Sequence, residues 1–234
     1  MEPRVLTDPP PPADERLSYG EHPSQFVDVR RPVTSTARPL VVMIHGGFWR
    51  HRYDLLHAGH LCAALTAAGF TTANIEYRRS GEFGGGWPGT FEDVKRAVNF
   101  MHTGRTIVAG HSAGGHLALW VAAEIPGLTA AIGLAPVATL HQSLSNYAAR
   151  ELMGGDPLEF PERYAYGDPA RPTEVPRIII HGDGDDIVPI ALSRAYEAPA
   201  RLIEIAGGGH FDVIDPEAPA FRTLLSELRC AASC

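Results

Sequence analysis

Two rhythms of apolar residues alternate along the chain. Short runs of β-branched and aliphatic side chains, each closed by glycine, proline or a polar residue, occur at "PLVVMIHGG", "FTTANIEY", "RTIVAG", "TAAIGLAP", "RIIIHG" and "RLIEIAG". The first of these reads as a strand buried on both faces, and the others as further strands. Between them, apolar positions recur at helical spacing. Leu55, Leu56, Leu61, Leu65 and Ala68 mark a helix over about 54–68, with Gly69 as its stop. Further helices are expected over Phe91 to Met101, with Thr90 as N-cap, and over Ala113 to Ala123, Ile190 to Ala198 and Ala218 to Ala231. An earlier stretch, "SQFVDV", alternates as an edge strand does. Strands that alternate with helices imply an α/β fold with a mostly parallel central sheet and helices on both faces.

Two segments break the rhythm. Residues 1–17 carry four consecutive prolines, Pro9 to Pro12, and read as a mobile proline-rich arm that cannot enter a helix or a sheet ladder. The irregular stretch over about 137–176 exceeds an ordinary connection several-fold and is expected to form a small helical lid insertion at the site edge. Residues 18–234 then form a single catalytic domain, a size that commonly holds one core. The net charge of -7 and 20 scattered basic residues argue against nucleic acid as a partner. No apolar stretch is long enough for a membrane span, and prolines and acids occupy the place of a secretory core, so a cytoplasmic protein is expected. Cys62 falls on a helical apolar position, while Cys230 and Cys234 read as free thiols of a frayed tail.

Candidate chemistry gathers at the strand ends, where ligands bind in parallel sheets. Ser112 follows the strand at 106–109 inside Gly110-His111-Ser112-Ala113-Gly114, a G-x-S-x-G pentad. Its glycines free the backbone for a sharp turn that aims the hydroxyl outward. A serine hydroxyl needs a base and an acid to orient that base. "HGDGDDIVP" supplies Asp183, Asp185 and Asp186 after one strand, and "AGGGHFDVID" supplies His210 after the last. The N–H of Ala113, at a helix start, suits an oxyanion. "HGGFW" follows the first inner strand, and Gly47 and Phe48 are the expected further donors, although the choice among Gly46, Gly47 and Phe48 stays open.

The order Ser, Asp, His at successive strand ends resembles the α/β-hydrolase superfamily from about residue 25 onward. Within it, "HGGFW", "GHSAGGHLA" and "HFDVID" are similar to the kynurenine formamidases (arylformamidases) and related small carboxylesterases. The resemblance implies Asp185 as the acid, because the aspartate of H-G-x-x-D-x-x-V-P stands four residues after the histidine, here His181. It implies a cofactor-independent serine hydrolase that works through an acyl-enzyme on a small ester or amide. An aryl formamide is the first expectation and a short-chain carboxylic ester the second. A catalytically silent hydrolase fold used as a binding module is the alternative of another class, although such modules usually lose a triad member.

Other side chains have plainer readings beside the functional ones. His45 is expected to order the oxyanion loop by hydrogen bonding. His111 either lines the pocket or is exposed. His57 and His60, spaced i, i+3, read as a solvated helix face rather than a metal pair. His116 is expected to pack near the site. Trp49 and Trp87, large apolar groups in loops, are expected to wall the substrate, with local loop packing the competing reading for Trp87.

Overall fold

The computed structural model describes residues 3–34, 37–141 and 146–232. Eight strands form one sheet: β1 (Glu15–Ser18), β2 (Phe26–Arg30), β3 (Leu40–Ile44), β4 (Thr72–Ile75), β5 (Thr106–His111), β6 (Ala130–Leu134), β7 (Arg177–Gly182) and β8 (Arg201–Ile205). Their order is β1-β2-β4-β3-β5-β6-β7-β8. β1 and β2 pair antiparallel, β2 runs antiparallel to β4, and every pairing from β4 to β8 is parallel. The carboxyl ends of β3 to β8 therefore lie along one rim. This is the α/β-hydrolase architecture, with an antiparallel pair at one end of a parallel sheet.

Why the inner strands form is plain from their side chains. All five residues of β3 and of β6 are buried, so each strand presents apolar groups to both faces. Val42 and Ile44 enter one core with α3 (Gly89–Met101) and α4 (Ala113–Val121), where Phe91, Leu117, Trp120 and Val121 pack. Val41 and Met43 enter the opposite core with α2 (Gly59–Ala67) and α8 (Ala220–Ala231), through Leu61, Leu65, Leu224 and Leu228. α4 is buried along its whole length. Cys62 is a core residue, Cys230 is exposed, and Cys234 lies outside the described residues.

Several elements depart from expectation. The helix anticipated over 54–68 opens as a 3-10 turn, Leu55–Ala58, capped by the Asp54 carboxylate, before α2 begins. Thr90 is not an N-cap: α3 starts one residue earlier, and the Thr90 hydroxyl donates to the Arg78 carbonyl at 2.6 Å. The helix anticipated over 190–198 shrinks to α7 (Ala191–Arg194), because Tyr196 turns away to donate to the Pro169 carbonyl. "SQFVDV" is an inner strand, since β1 covers its edge.

The proline-rich arm, expected to be mobile, is docked. It contains α1 (Arg4–Thr7), whose Val5 is buried, and it feeds directly into β1. Arg4 pairs with Glu217, the Pro11 carbonyl accepts from Arg30 at 2.7 Å, and the Asp8 carbonyl meets the His60 ring at 3.0 Å. Prolines that cannot join the ladder still pack as a strap, and their fixed φ lowers the entropy lost in doing so. Among the described residues the irregular insertion holds α5 (Asn146–Met153) and α6 (Pro161–Gly167). It is tied to α4 where His116 meets the Gly167 carbonyl at 2.8 Å and Trp120 donates to the Tyr166 carbonyl at 2.8 Å. An Arg50–Glu151 ion pair links it to the loop after β3.

Two outcomes follow from this packing. A β-carbon at Gly114 would collide with the backbone carbonyls of Ile44 and His45, which cannot swing aside. Gly114→Ala is expected to lower stability by about 3 kcal/mol or more, read by urea unfolding. Burial lowers the pKa of His116 to about 4, against a smaller opposite effect of its Gly167 hydrogen bond. An unfolded histidine takes its proton near pH ~6.5, so the unfolded state gains protons first and stability falls as pH drops from there toward 4. His116→Leu should flatten that slope by on the order of 2 kcal/mol, seen by comparing urea midpoints at neutral and mildly acid pH.

Candidate active site

The rim of the sheet collects the residues singled out above. β5 ends at His111, and Ser112 follows with φ 54° and ψ -117°, a left-handed conformation rare outside glycine. Ser112 holds it because its neighbours determine it. Its amide donates to the Leu134 carbonyl at 2.9 Å, and its carbonyl accepts from His116 at 3.1 Å and Val137 at 3.1 Å. A side chain at Gly110 would strike the Gly114 carbonyl, so the strand can fold back into α4 only with glycine at both positions.

Asp185 and His210 meet on the loops after β7 and β8. His210 Nδ1 lies 2.7 Å from Asp185 Oδ2. A carboxylate oxygen can only accept, so Nδ1 carries the ring proton and Nε2 keeps a lone pair. The other carboxylate oxygen accepts the amides of Ile187 at 2.9 Å and Val188 at 2.7 Å. His181 Nε2 also reaches Asp185 Oδ2, at 3.1 Å, while its Nδ1 meets the Ser193 hydroxyl at 2.7 Å. Burial opposes ionisation of Asp185, yet the hydrogen bonds from His181 and His210 outweigh it and hold the carboxyl well below the usual carboxylate range. Close approach of the two loops needs Gly182, where a β-carbon would strike the Gly208 carbonyl. The rival carboxylates do other things. Asp183 accepts the Gly207 amide at 2.6 Å, and Asp186 is exposed.

His210 reaches the serine turn through His111. His111 Nε2 donates to the His210 carbonyl at 2.9 Å, and the two rings lie 4.6 Å apart. Burial, reinforced by His210 and His57, keeps the His111 pKa well below its ordinary value, so the ring stays neutral. Ser112 and His210 are themselves 3% and 5% exposed. The hydrogen bonds of Ser112 are those of its backbone, and its hydroxyl bonds neither His210 nor any other described residue. Such bonds commonly tighten only around substrate.

The loop after β3 passes beside this turn. Gly47, Phe48 and Trp49 all have positive φ, at 104°, 56° and 56°. Gly47 must be glycine, because a β-carbon there would overlap the Tyr53 side chain. The Gly46 amide donates to His57 Nε2 at 3.2 Å and is therefore spent. Among the described residues, the Gly47 and Phe48 amides have no protein acceptor, and Ala113, the first residue of α4, has no acceptor within its helix. His45 anchors the loop: its ring stacks on Tyr77 at 4.5 Å, and its nitrogens meet the Gly46 carbonyl and Glu76 Oε1, both at 2.8 Å.

Four expectations need correction. Trp49 offers no wall to a substrate: it is 0% exposed, and its indole N–H donates to the Ala113 carbonyl at 3.1 Å, stapling the loop to α4. Trp87 packs its ring against Phe91 and Tyr166, at 5.6 and 5.1 Å, and joins no ring of the Asp185–His210 group. His111 is neither exposed nor a lining group but a buried brace. His57 does not belong to a solvated face, since it accepts the Gly46 amide, and burial with the nearby His45 charge lowers its pKa to about 3. His60 faces Asp8 instead, and among the described residues no three His, Cys, Asp or Glu are grouped to hold a metal. Sequence reasoning gave no role to Glu76, His181 or Ser193. A glutamate closing the apolar run "TANIE" was the signal for the first of them.

The chain is 25% identical to Esterase LipC of Mycobacterium tuberculosis (strain ATCC 25618 / H37Rv), over 91% of this chain and 64% of that protein. It is 28% identical to the kynurenine formamidase of Salmo salar, over 45% of this chain and 37% of that protein. The chain thus spans between 37% and 64% of the length of the curated relatives it matches. A truncated carbohydrate esterase from gut microbiota superimposes with a TM-score of 0.80 at 20% identity, covering 97% of this chain and 100% of that one. Esterase B from Lactobacillus Rhamnosis (HN001) does so with a TM-score of 0.77 at 21% identity, covering 98% and 89%. Both likenesses bear on the fold. The BD-FAE family model matches residues 27–199, and with that span the chain belongs to the BD-FAE family of α/β-hydrolases.

Proposed function

We propose that this protein hydrolyses carboxylic esters through an acyl-enzyme formed on Ser112. The observation that carries the reading is the 2.7 Å contact of Asp185 with His210 Nδ1, on a histidine whose backbone His111 binds beside the serine turn. His210 Nε2 takes the Ser112 proton as the oxygen attacks the carbonyl carbon, and ionised Asp185 stabilises the imidazolium that results. The amides of Gly47, Phe48 and Ala113 receive the oxyanion. Collapse expels the alcohol, protonated by His210, and water then repeats the sequence to release the acid.

An ester is preferred over an aryl formamide on two grounds. Trp49, one of the side chains that was to flank a planar ring, is fully buried and committed to packing, and Trp87 packs its ring on Tyr166. The alignment with the curated esterase also runs over 91% of the chain, against 45% for the Salmo salar formamidase. Arylformamidase activity is the second reading, favoured by "HGGFW" and by that formamidase match.

Ser112→Ala is expected to lower kcat/KM for p-nitrophenyl acetate by about 10⁴-fold or more with the fold intact. Retained activity, or failure of a fluorophosphonate probe to label folded wild type at Ser112, would favour a silent binding module. Turnover of p-nitrophenyl acetate should exceed that of N-formylkynurenine, and the reverse order would favour the formamidase. Activity should fall in acid with a slope of one in log kcat/KM. A protonated His210 cannot accept the serine proton, while Asp185 stays ionised and His57 stays neutral to about pH 3.

A further inference from the structure

Glu76 lies outside the Ser112, Asp185 and His210 set, yet it is 2% exposed and one ring away from the oxyanion loop. Every group around it is a donor. Its Oε1 meets His45 Nε2 at 2.8 Å, the Tyr77 amide at 3.0 Å and Arg79 Nη1 at 3.3 Å, and its Oε2 accepts the Leu55 amide at 3.2 Å. An oxygen facing three donors carries no proton of its own, and the Arg79 guanidinium beside it favours the ionised carboxylate of Glu76. His45 has the opposite surroundings. Its Nε2 faces that carboxylate and its Nδ1 faces the Gly46 carbonyl, which can only accept. Both nitrogens therefore need a proton, and the ring is an imidazolium, seated on the face of Tyr77 at 4.5 Å where a cation is favoured.

The peptide that His45 touches is the one that matters. Its carbonyl belongs to Gly46 and its N–H to Gly47, a candidate oxyanion donor. The neighbouring peptide is already satisfied at both ends: the His45 carbonyl accepts from the Tyr77 hydroxyl at 2.9 Å, and the Gly46 amide donates to His57. A cation on one end of an amide draws charge through it and makes the N–H at the other end a stronger donor. We infer that Glu76 and His45 form a buried carboxylate–imidazolium relay that orients and polarises the Gly46–Gly47 peptide, so that the Gly47 amide binds the developing oxyanion more strongly. This role rests on the ester-hydrolase reading, with Glu76 and His45 as positioning residues that never touch substrate. The charged groups facing the pair are Arg79 with its partner Glu82, and the neutral rings of His57 and Tyr77.

Nitrogen-15 NMR of the His45 ring in Ser112→Ala protein tests the charge without any turnover. Both ring nitrogens should carry a proton at neutral pH, while His57 and His116 carry one each, and a bare His45 nitrogen would overturn the inference. The second arm is Glu76→Gln in active protein. Its kcat should fall roughly 10- to 100-fold with KM within about twofold, and its affinity for an alkylboronic acid, which forms a tetrahedral anion on serine, should fall by a similar factor. A folded Glu76→Gln protein with wild-type kcat and boronate affinity would sink the proposal, and if that variant does not fold the NMR result alone decides. Failure of the hydrolase reading is separable, since it would appear as retained activity in Ser112→Ala.

Discussion

The close backbone approach of α4 to the end of β3 governs the arrangement of the site. The first turn of α4 lies against the end of β3 with no room for a side chain at Gly114, and Gly110 folds back on that same turn. Two elements far apart in sequence are thereby held at backbone contact, one ending in the loop at 46–49 and the other beginning at Ser112. The left-handed serine and the positive φ angles of Phe48 and Trp49 are each unfavourable alone. They persist because the Trp49 indole, the Leu134 carbonyl and the Val137 amide fix both sides of the crossing.

Much of this was legible in the sequence because its causes are local. Short, mostly apolar runs marked β3 and β5 to β8, and glycines spaced around Ser112 described the sharp turn. Asp185 was distinguishable from Asp183 and Asp186 only through the family pattern, for three carboxylates within four residues look alike until their partners are known. What could not be read depended on contacts between distant residues. Trp49 looks like a substrate wall in a loop, and only the Ala113 carbonyl shows that it is a staple. His57 and His60 look like one helix face, yet a 3-10 turn separates their directions. The prolines of the arm forbid regular structure but say nothing of docking, which depends on Arg30, Val5 and the edge left open by β2.

The histidines illustrate how one residue type is divided among tasks by burial. His111 and His116 are neutral braces that donate to carbonyls of other loops, and His57 accepts an amide. His45 is held between two acceptors. His210 is left with one nitrogen committed to Asp185 and one free. The chemistry of each ring follows from which partner the fold brings to it.

Asp185 has two histidine partners on one oxygen, and that arrangement has a mechanical consequence. A buried carboxylate with a single partner would pull that partner back whenever it swung aside. Here His181, anchored in turn by Ser193, together with the Ile187 and Val188 amides, remains in place whatever His210 does. Under the proposed mechanism, the ring of His210 is thus able to tilt between serine and leaving group, and between acylation and water attack, without stranding a charge in the interior.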